Sequence, residues 1–396
     1  MNSKLKLVVC LSVTFFSTAP FAQVASTSVT ISAPSVAYVY VTSRPANASA
    51  NEIDAYAAAP NGALTPVEGS PFQENEFTVT ADGRYLFGSS ADTTNIDTLA
   101  IETNGALRYL TSTDYAQFDL DDCGSAGWLF TDRTGTDLYP LVYNGDCANN
   151  FYQSYRIKEP SGELSYLGSV NGGAGSFNGI SSPATFLGDD LYAYTATNNG
   201  CFYFGVQSFK RDTNGILTSG SGSVTLPAAP DGYRIYVPEA VSADPINHVA
   251  MALQAANPPG CQNNYPQLAS FTADAQGNLT TTNNSASMPA TLIQYVNDLK
   301  VSPSGKLVAV AGTNGVQVFH FNGANPPTPY TPLLTTENIN QMFWDNDNHL
   351  YGINQAGNDM HVFTVTQTTY SEAPGSPYTV SQPASIAVHP ETPILP

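Results

Sequence analysis

The densest group of reactive side chains in the sequence is acidic. Asp119, Asp121 and Asp122 run up to Cys123, and Asp146 stands directly before Cys147. Carboxylates held together either raise one another's pKa or recruit a cation, and for an exported protein the fitting hard, oxygen-liganded ion is calcium. The plainer reading of the same residues is a solvated acidic loop. Cys201 and Cys261 complete a set of four cysteines beyond the N-terminal leader. Their gaps of 24, 54 and 60 residues contain none of the close Cys pairs that zinc sites use, so disulfides are expected. The preferred pairs are Cys123 with Cys147 and Cys201 with Cys261, and two other connectivities stay open. A bond between Cys123 and Cys147 would gather the four aspartates, because bridged Cα atoms lie about 4.4–6.8 Å apart. Asp345-Asn346-Asp347-Asn348-His349 superficially resembles a calcium loop. A histidine takes an oxygen-ligand place there and no glycine follows, so Asx-turn chemistry is expected instead.

Charge limits the partners these groups can serve. Of 396 residues, 13 are Lys or Arg and 32 are Asp or Glu, so 11% of the chain is charged where an ordinary soluble domain has about 25%. Neutralising phosphates needs a stripe of Lys and Arg, which speaks against nucleic acid and against an anionic membrane surface. Residues 1–22 read as a secretory signal peptide, with Lys4 and Lys6 before the apolar stretch Leu7 to Phe16 and small residues up to Ala22. Residues 23–35 read as a linker, 36–390 as the folded domain and 391–396 as a tail. No later apolar run approaches the ~18 residues that span a bilayer. A secreted or periplasmic monomer is expected, in a compartment where disulfides persist.

The elements that must position these groups are strands. Asn61-Gly62, Asn104-Gly105, Ser161-Gly162, Asn214-Gly215 and Gln276-Gly277 each close one β-rich run and open the next. Gly69-Ser70-Pro71 recurs 306 positions later as Gly375-Ser376-Pro377, and Gly83 and His389 mark a second turn series with the same span. Six intervals averaging 51 residues give seven units. In the sixth, Asp298 to Val301, Lys306 to Val310 and Val316 to His320 read as strands, with the outermost near Leu333-Leu334. No sustained 3.6-residue periodicity occurs, so helix is not expected. Four-stranded units of this length stacked radially make an all-β, seven-bladed β-propeller of antiparallel blades. The last unit supplies only Ser385 to Val388, and Tyr38 to Val41, Ile53 to Ala57 and Leu64 to Val67 supply the rest, so the N-terminal strands pair with the C-terminal strand to close the ring.

Tyr40-Val41-Thr42-Ser43, Ile53-Asp54-Ala55-Tyr56, Gly62-Ala63-Leu64-Thr65-Pro66-Val67 and Gly69-Ser70-Pro71-Phe72 carry a likeness. The chain resembles the lactonase-like, or YVTN-type, seven-bladed propellers common among exported bacterial proteins. The resemblance implies a site around the central opening, with an Arg-His pair in a loop leading into an innermost strand and an Asn-Glu pair after a second strand. The corresponding leading loops here read Glu74-Asn75-Glu76, Pro238-Glu239, Val296-Asn297-Asp298 and Asn338-Ile339-Asn340-Gln341, without Arg-His.

Two functions follow. The first is a non-catalytic binding module for a carbohydrate, peptide or protein, on a disulfide-stapled face bearing Trp128, Tyr233, Tyr236 and Tyr295. The alternative is a lactone hydrolase, with Glu76, Glu239 and Asp298 as acid or base groups and Arg234 stabilising the anion. His248, His349 and His389 fall at turns on the rim away from the pocket and His320 and His361 in third strands, so all five are read as structural.

Overall fold

The computed structural model describes residues 34–89, 95–115, 126–143, 150–172, 183–199, 203–257 and 265–390. Strands run from Ala37 to Pro390 in seven antiparallel sheets. Blade 1 combines Ser385–Pro390 with Ala37–Ser43, Glu52–Ala58 and Leu64–Pro66, in that order outward. Tyr40 sits opposite Ala387 and Val41 opposite Ile386, so the two ends of the chain share one sheet. Blade 2 is Thr78–Asp82, Tyr85–Ser89, Asn95–Ile101 and Leu107–Asp114. Blade 3 is Ala126–Thr131, Asp137–Tyr143, Asn150–Lys158 and Glu163–Asn171. Blades 4, 5, 6 and 7 begin at Thr185, Ile235, Val296 and Gln341. No helix occurs among the described residues, and none is long and apolar enough to cross a membrane.

Stacking buries both faces of each inner sheet. Leu307–Gly312 and His349–Asn354, both second strands, are buried along their whole length. Such strands read as apolar runs with no room for charge, which is where the shortage of charged residues comes from.

The Asn-Gly turns join blades as well as reversing the chain. Tyr40 donates its hydroxyl proton to the carbonyl of Gly105 at 3.0 Å, Tyr139 to Gly215 at 2.9 Å and Tyr194 to Gly277 at 2.8 Å. In each case a second strand reaches the hairpin turn of the next blade. Gly277 has φ of 77°, and a β-carbon there would lie 2.5 Å from the Tyr192 ring, so both conformation and space demand glycine.

Innermost strands are edge strands with unpaired N–H groups, and the neighbouring blade supplies side chains to satisfy them. Thr185 Oγ1 accepts from Ala243 N (3.1 Å), Ser242 Oγ from Val301 N (2.9 Å), Asp298 Oδ2 from Met342 N (2.8 Å), Gln341 Oε1 from Ile386 N (3.0 Å) and Ser385 Oγ from Val79 N (3.2 Å).

The sixth blade departs from expectation in one strand. Its outer strand is Asn325–Pro329, with His320 opposite Thr328, and Leu333-Leu334 follow it. Prolines mark this stretch as a turn in sequence, yet an outer strand tolerates them because its free edge needs no N–H. Leu334 then donates its N–H to Val316 O at 2.8 Å, extending the same edge.

Candidate functional site

The face from which the innermost strands start is the front, and the opposite rim is the rear. Leading loops and the loops between second and third strands gather at the front. Asp119, Asp121, Asp122, Asp146, Cys123, Cys147, Cys201 and Cys261 lie outside the described residues. The calcium and disulfide expectations fall there with them.

The other expected residues do not form one constellation. Glu239 is the extra residue of a β-bulge in the innermost strand of blade 5, between Pro238 and Ala240, and Asn297 occupies the equivalent bulge in blade 6. Bulges re-aim side chains, and both of these lie in innermost strands. Asp298 is buried, with its oxygens taking Leu299 N and Met342 N at 2.8 Å each and Lys300 Nζ at 3.4 Å. Burial still drives its pKa upward. It is a strap between blades 6 and 7. Arg234 is exposed, and its N–H donates to Ala256 O. Tyr236, expected on a ligand-facing surface, lies in the core at 2% exposure with its hydroxyl on Gln267 Oε1, because its strand position points between blades. Trp128 and Tyr233 are half-buried against core clusters. Tyr295 is 45% exposed.

Among the described residues, carboxyl groups concentrate at the front of three consecutive blades, 7, 1 and 2. In blade 2 the leading loop brings Glu76 down over Gly88, where a β-carbon would approach its Oε2 to 2.6 Å. Glu76 is 1% exposed, and its Oε2 accepts no hydrogen bond. Burial first, and then Asp97 and Glu74, push its pKa up to about 9, so it holds a proton at neutral pH. In blade 1, Asp54 takes the Ser43 hydroxyl at 2.6 Å and Glu52 the Gln73 amide at 2.9 Å, and burial raises the Asp54 pKa.

Blade 7 has the most varied chemistry. Glu337 comes from the leading loop, Asp359 and His361 from the start of the third strand and Glu372 from the end of the fourth. His361 Nδ1 is 3.0 Å from Glu372 Oε1, and its Nε2 is 3.4 Å from Glu337 Oε2 and 3.7 Å from Asp359 Oδ1. Burial, with Glu337 next, raises the Asp359 pKa. His361, read from sequence as structural, thus faces three carboxylates. The signal lay in register: Glu52-Ile53-Asp54, Asn95-Ile96-Asp97 and Asp359-Met360-His361 each open a third strand. Among the described residues no Lys or Arg pairs with any of the carboxylates at the front of these three blades.

The rear rim is built otherwise. Asp132, Asp244 and Asp345 each accept two backbone N–H groups of their own turn at 2.8–2.9 Å, and His248 and His349 bond Asp244 and Asp345 through Nδ1 at 2.8 and 2.7 Å. Asp345 is thus the Asx-turn residue expected from sequence. A groove of about 600 Å³ lined by Lys306, His320, Asn322 and Gln367 also lies at the rear, away from the front carboxyls.

No family model matches the sequence, and no curated protein does. Solved structures do. A Bacteroides uniformis protein provisionally named a 6-phosphogluconolactonase superposes with a TM-score of 0.65 at 14% identity, over 89% of this chain and 99% of its own. A second protein so named, from Bacteroides fragilis, gives 0.59 at 15%, over 89% and 97%. Hydrazine synthase of Kuenenia stuttgartiensis gives 0.51 at 12%, over 80% and 90%. The chain thus has the fold of lactonase-like propellers, and that fold also serves unrelated chemistry.

Proposed function

We propose that the protein works outside the cytoplasm as a binding module that takes a neutral, polyhydroxylated ligand such as a carbohydrate on its front face. One observation carries this reading: the exposed rings of Phe77, Tyr265 and Tyr295 share that face with the carboxylates of blades 7, 1 and 2, which no Lys or Arg neutralises among the described residues. Aromatic faces stack on the apolar side of sugar rings, and carboxylates accept from their hydroxyls. A phosphorylated sugar would meet repulsion there. Titration calorimetry of the purified protein against a panel of neutral and phosphorylated glycans tests this. Neutral glycans should bind, and Tyr265→Ala or Tyr295→Ala should weaken them about tenfold or more. Tighter binding of the phosphorylated member would overturn the reading.

A lactone hydrolase is the second reading, favoured by the protonated Glu76 and by the names of two structural neighbours. It ranks below the first because a general acid must reach its substrate, and Glu76 is 1% exposed. Lactone turnover abolished by Glu76→Gln or Glu239→Gln would reverse that order.

A further inference from the structure

We propose that Glu337, Asp359 and His361 bind a divalent metal ion of the zinc class at the front of blade 7. The inference stands apart from the glycan reading and does not depend on it. One ligand atom from each residue falls in a set lying within 4.8 Å, and His361 Nε2 is the atom that approaches both carboxylates.

The histidine is prepared as a ligand. Its ring is 6% exposed and stacks on Phe363 at 5.6 Å with 6° between planes. Glu372 Oε1 takes Nδ1–H at 3.0 Å and is itself held by the Ser376 hydroxyl at 2.8 Å. In the neutral ring that donates Nδ1–H to Glu372, Nε2 carries the lone pair, the carboxylate–histidine arrangement that orients metal ligands. Nε2 makes a long hydrogen-bond contact with Glu337 Oε2 at 3.4 Å and stands 3.7 Å from Asp359 Oδ1, both longer than the about 2.7–2.9 Å of a strong charge-assisted hydrogen bond. Such separations do suit neighbouring ligands on a four-coordinate ion with bonds of about 2.0–2.2 Å, whose tetrahedral edges are roughly 3.3–3.6 Å.

The oxygens are prepared too. Asp359 Oδ1 is buried with no hydrogen-bond partner, an acceptor that only a donor or a cation would satisfy. Asn354 Nδ2 holds Glu337 Oε2 at 2.6 Å, while Asn354 Oδ1 accepts Gly357 N at 2.9 Å. A β-carbon on Gly357 would approach Asp359 Oδ2 to 2.8 Å, so glycine lets the loop close this tightly. One imidazole and two carboxylates suit zinc better than calcium, which takes six to eight oxygens. Three protein ligands leave a fourth position open beside the 46%-exposed Glu337.

The test is zinc titration of the chelator-stripped protein, with cobalt as a spectroscopic probe. One zinc ion per chain should bind, and cobalt should give visible d–d bands without the thiolate charge-transfer band that cysteine ligands would add. Asp359→Asn and His361→Asn should each weaken zinc at least about 100-fold, and Glu372→Gln, which only positions the ring, about tenfold. Glu337→Gln changes a half-exposed side chain and keeps the test valid if a buried variant fails to fold. Zinc affinity unchanged in Glu337→Gln, a cobalt spectrum dominated by thiolate, calcium bound here in preference to zinc, or no zinc uptake at millimolar metal would each overturn the proposal.

Discussion

The front of blades 7, 1 and 2 and the rear of blades 3, 4 and 5 both bury carboxylates, and they differ in whether arginine answers them. At the rear each acid meets a donor. Asp137 is fully buried and takes Arg156 and Arg211 at 2.5 Å each, and Arg211 reaches Asp132 at 3.2 Å. Arg133 sends its guanidinium to the carbonyls of Phe186, Leu187, Ala243 and Asp244, so one side chain of blade 3 ties down blades 4 and 5. At the front the donors are neutral side chains, such as Ser43 on Asp54 and Asn354 on Glu337, and carboxyl also faces carboxyl: Glu76 against Asp97, and Glu337 against Asp359. Charges answered within the chain serve the architecture. Carboxyl groups crowded together without a cation of the chain are candidates for a ligand from outside it.

Removing a rear donor gives the largest effect. Arg133→Ala strips donors from four backbone carbonyls at the junction of three blades, and a buried polar group left unmatched costs about 1–3 kcal/mol. Water entering the vacated space recovers part of this, so a loss of about 3 kcal/mol is expected in urea unfolding at pH 7. A change under 1 kcal/mol would mean that the rear network is ornamental, and the contrast between the faces would fail.

Neutralising a front carboxyl should act with the opposite sign. Glu76 has its folded pKa raised to about 9, whereas the unfolded chain titrates near the ordinary ~4.5. The folded state therefore keeps a proton that the unfolded state has released. The stability linked to this proton is fully present below about pH 4.5 and declines as pH rises toward about 9. Glu76→Gln keeps the shape without the ionisation, so at pH 8 it should stabilise the protein by about 1–2 kcal/mol and flatten stability against pH between 5 and 9. A destabilised variant with the wild-type slope would put the Glu76 proton elsewhere.

The fold was legible because its signals are local. Gly105, Gly215 and Gly277 announce hairpins by type, and Gly69-Ser70-Pro71 repeated at Gly375 fixes the count of blades. Asp345 at the rear was legible for the same reason, since it bonds its own turn at two and four residues' distance; Asp137 was not, because its partners Arg156 and Arg211 lie 19 and 74 residues away. The front carboxyls were half legible. Glu76 was singled out from its place in a leading loop, but Asp97, 21 residues on, meets it only because a third strand starts at the same face. His361 and Glu337 are joined in the same way across 24 residues. No spacing rule connects a leading loop to a third strand until register is known. Outer edges were the least legible, as Asn325–Pro329 shows, because an edge strand needs neither alternation nor a complete set of N–H groups.

The smallest effect sharpens the comparison most economically. Tyr295 is 45% exposed at the front, and its backbone, not its ring, is what the fold uses: its carbonyl accepts Thr313 N at 3.1 Å. Tyr295→Ala retains that carbonyl and removes only an exposed ring, so its unfolding free energy from urea titration should change by less than about 0.5 kcal/mol. The same variant should lose glycan affinity. Stability and binding are thereby separated at one residue, as Arg133 and Glu76 separate them between faces. If Tyr295→Ala instead destabilises by 2 kcal/mol or more, the ring is part of the scaffold, and the front face loses an aromatic from the set that distinguishes it from the rear.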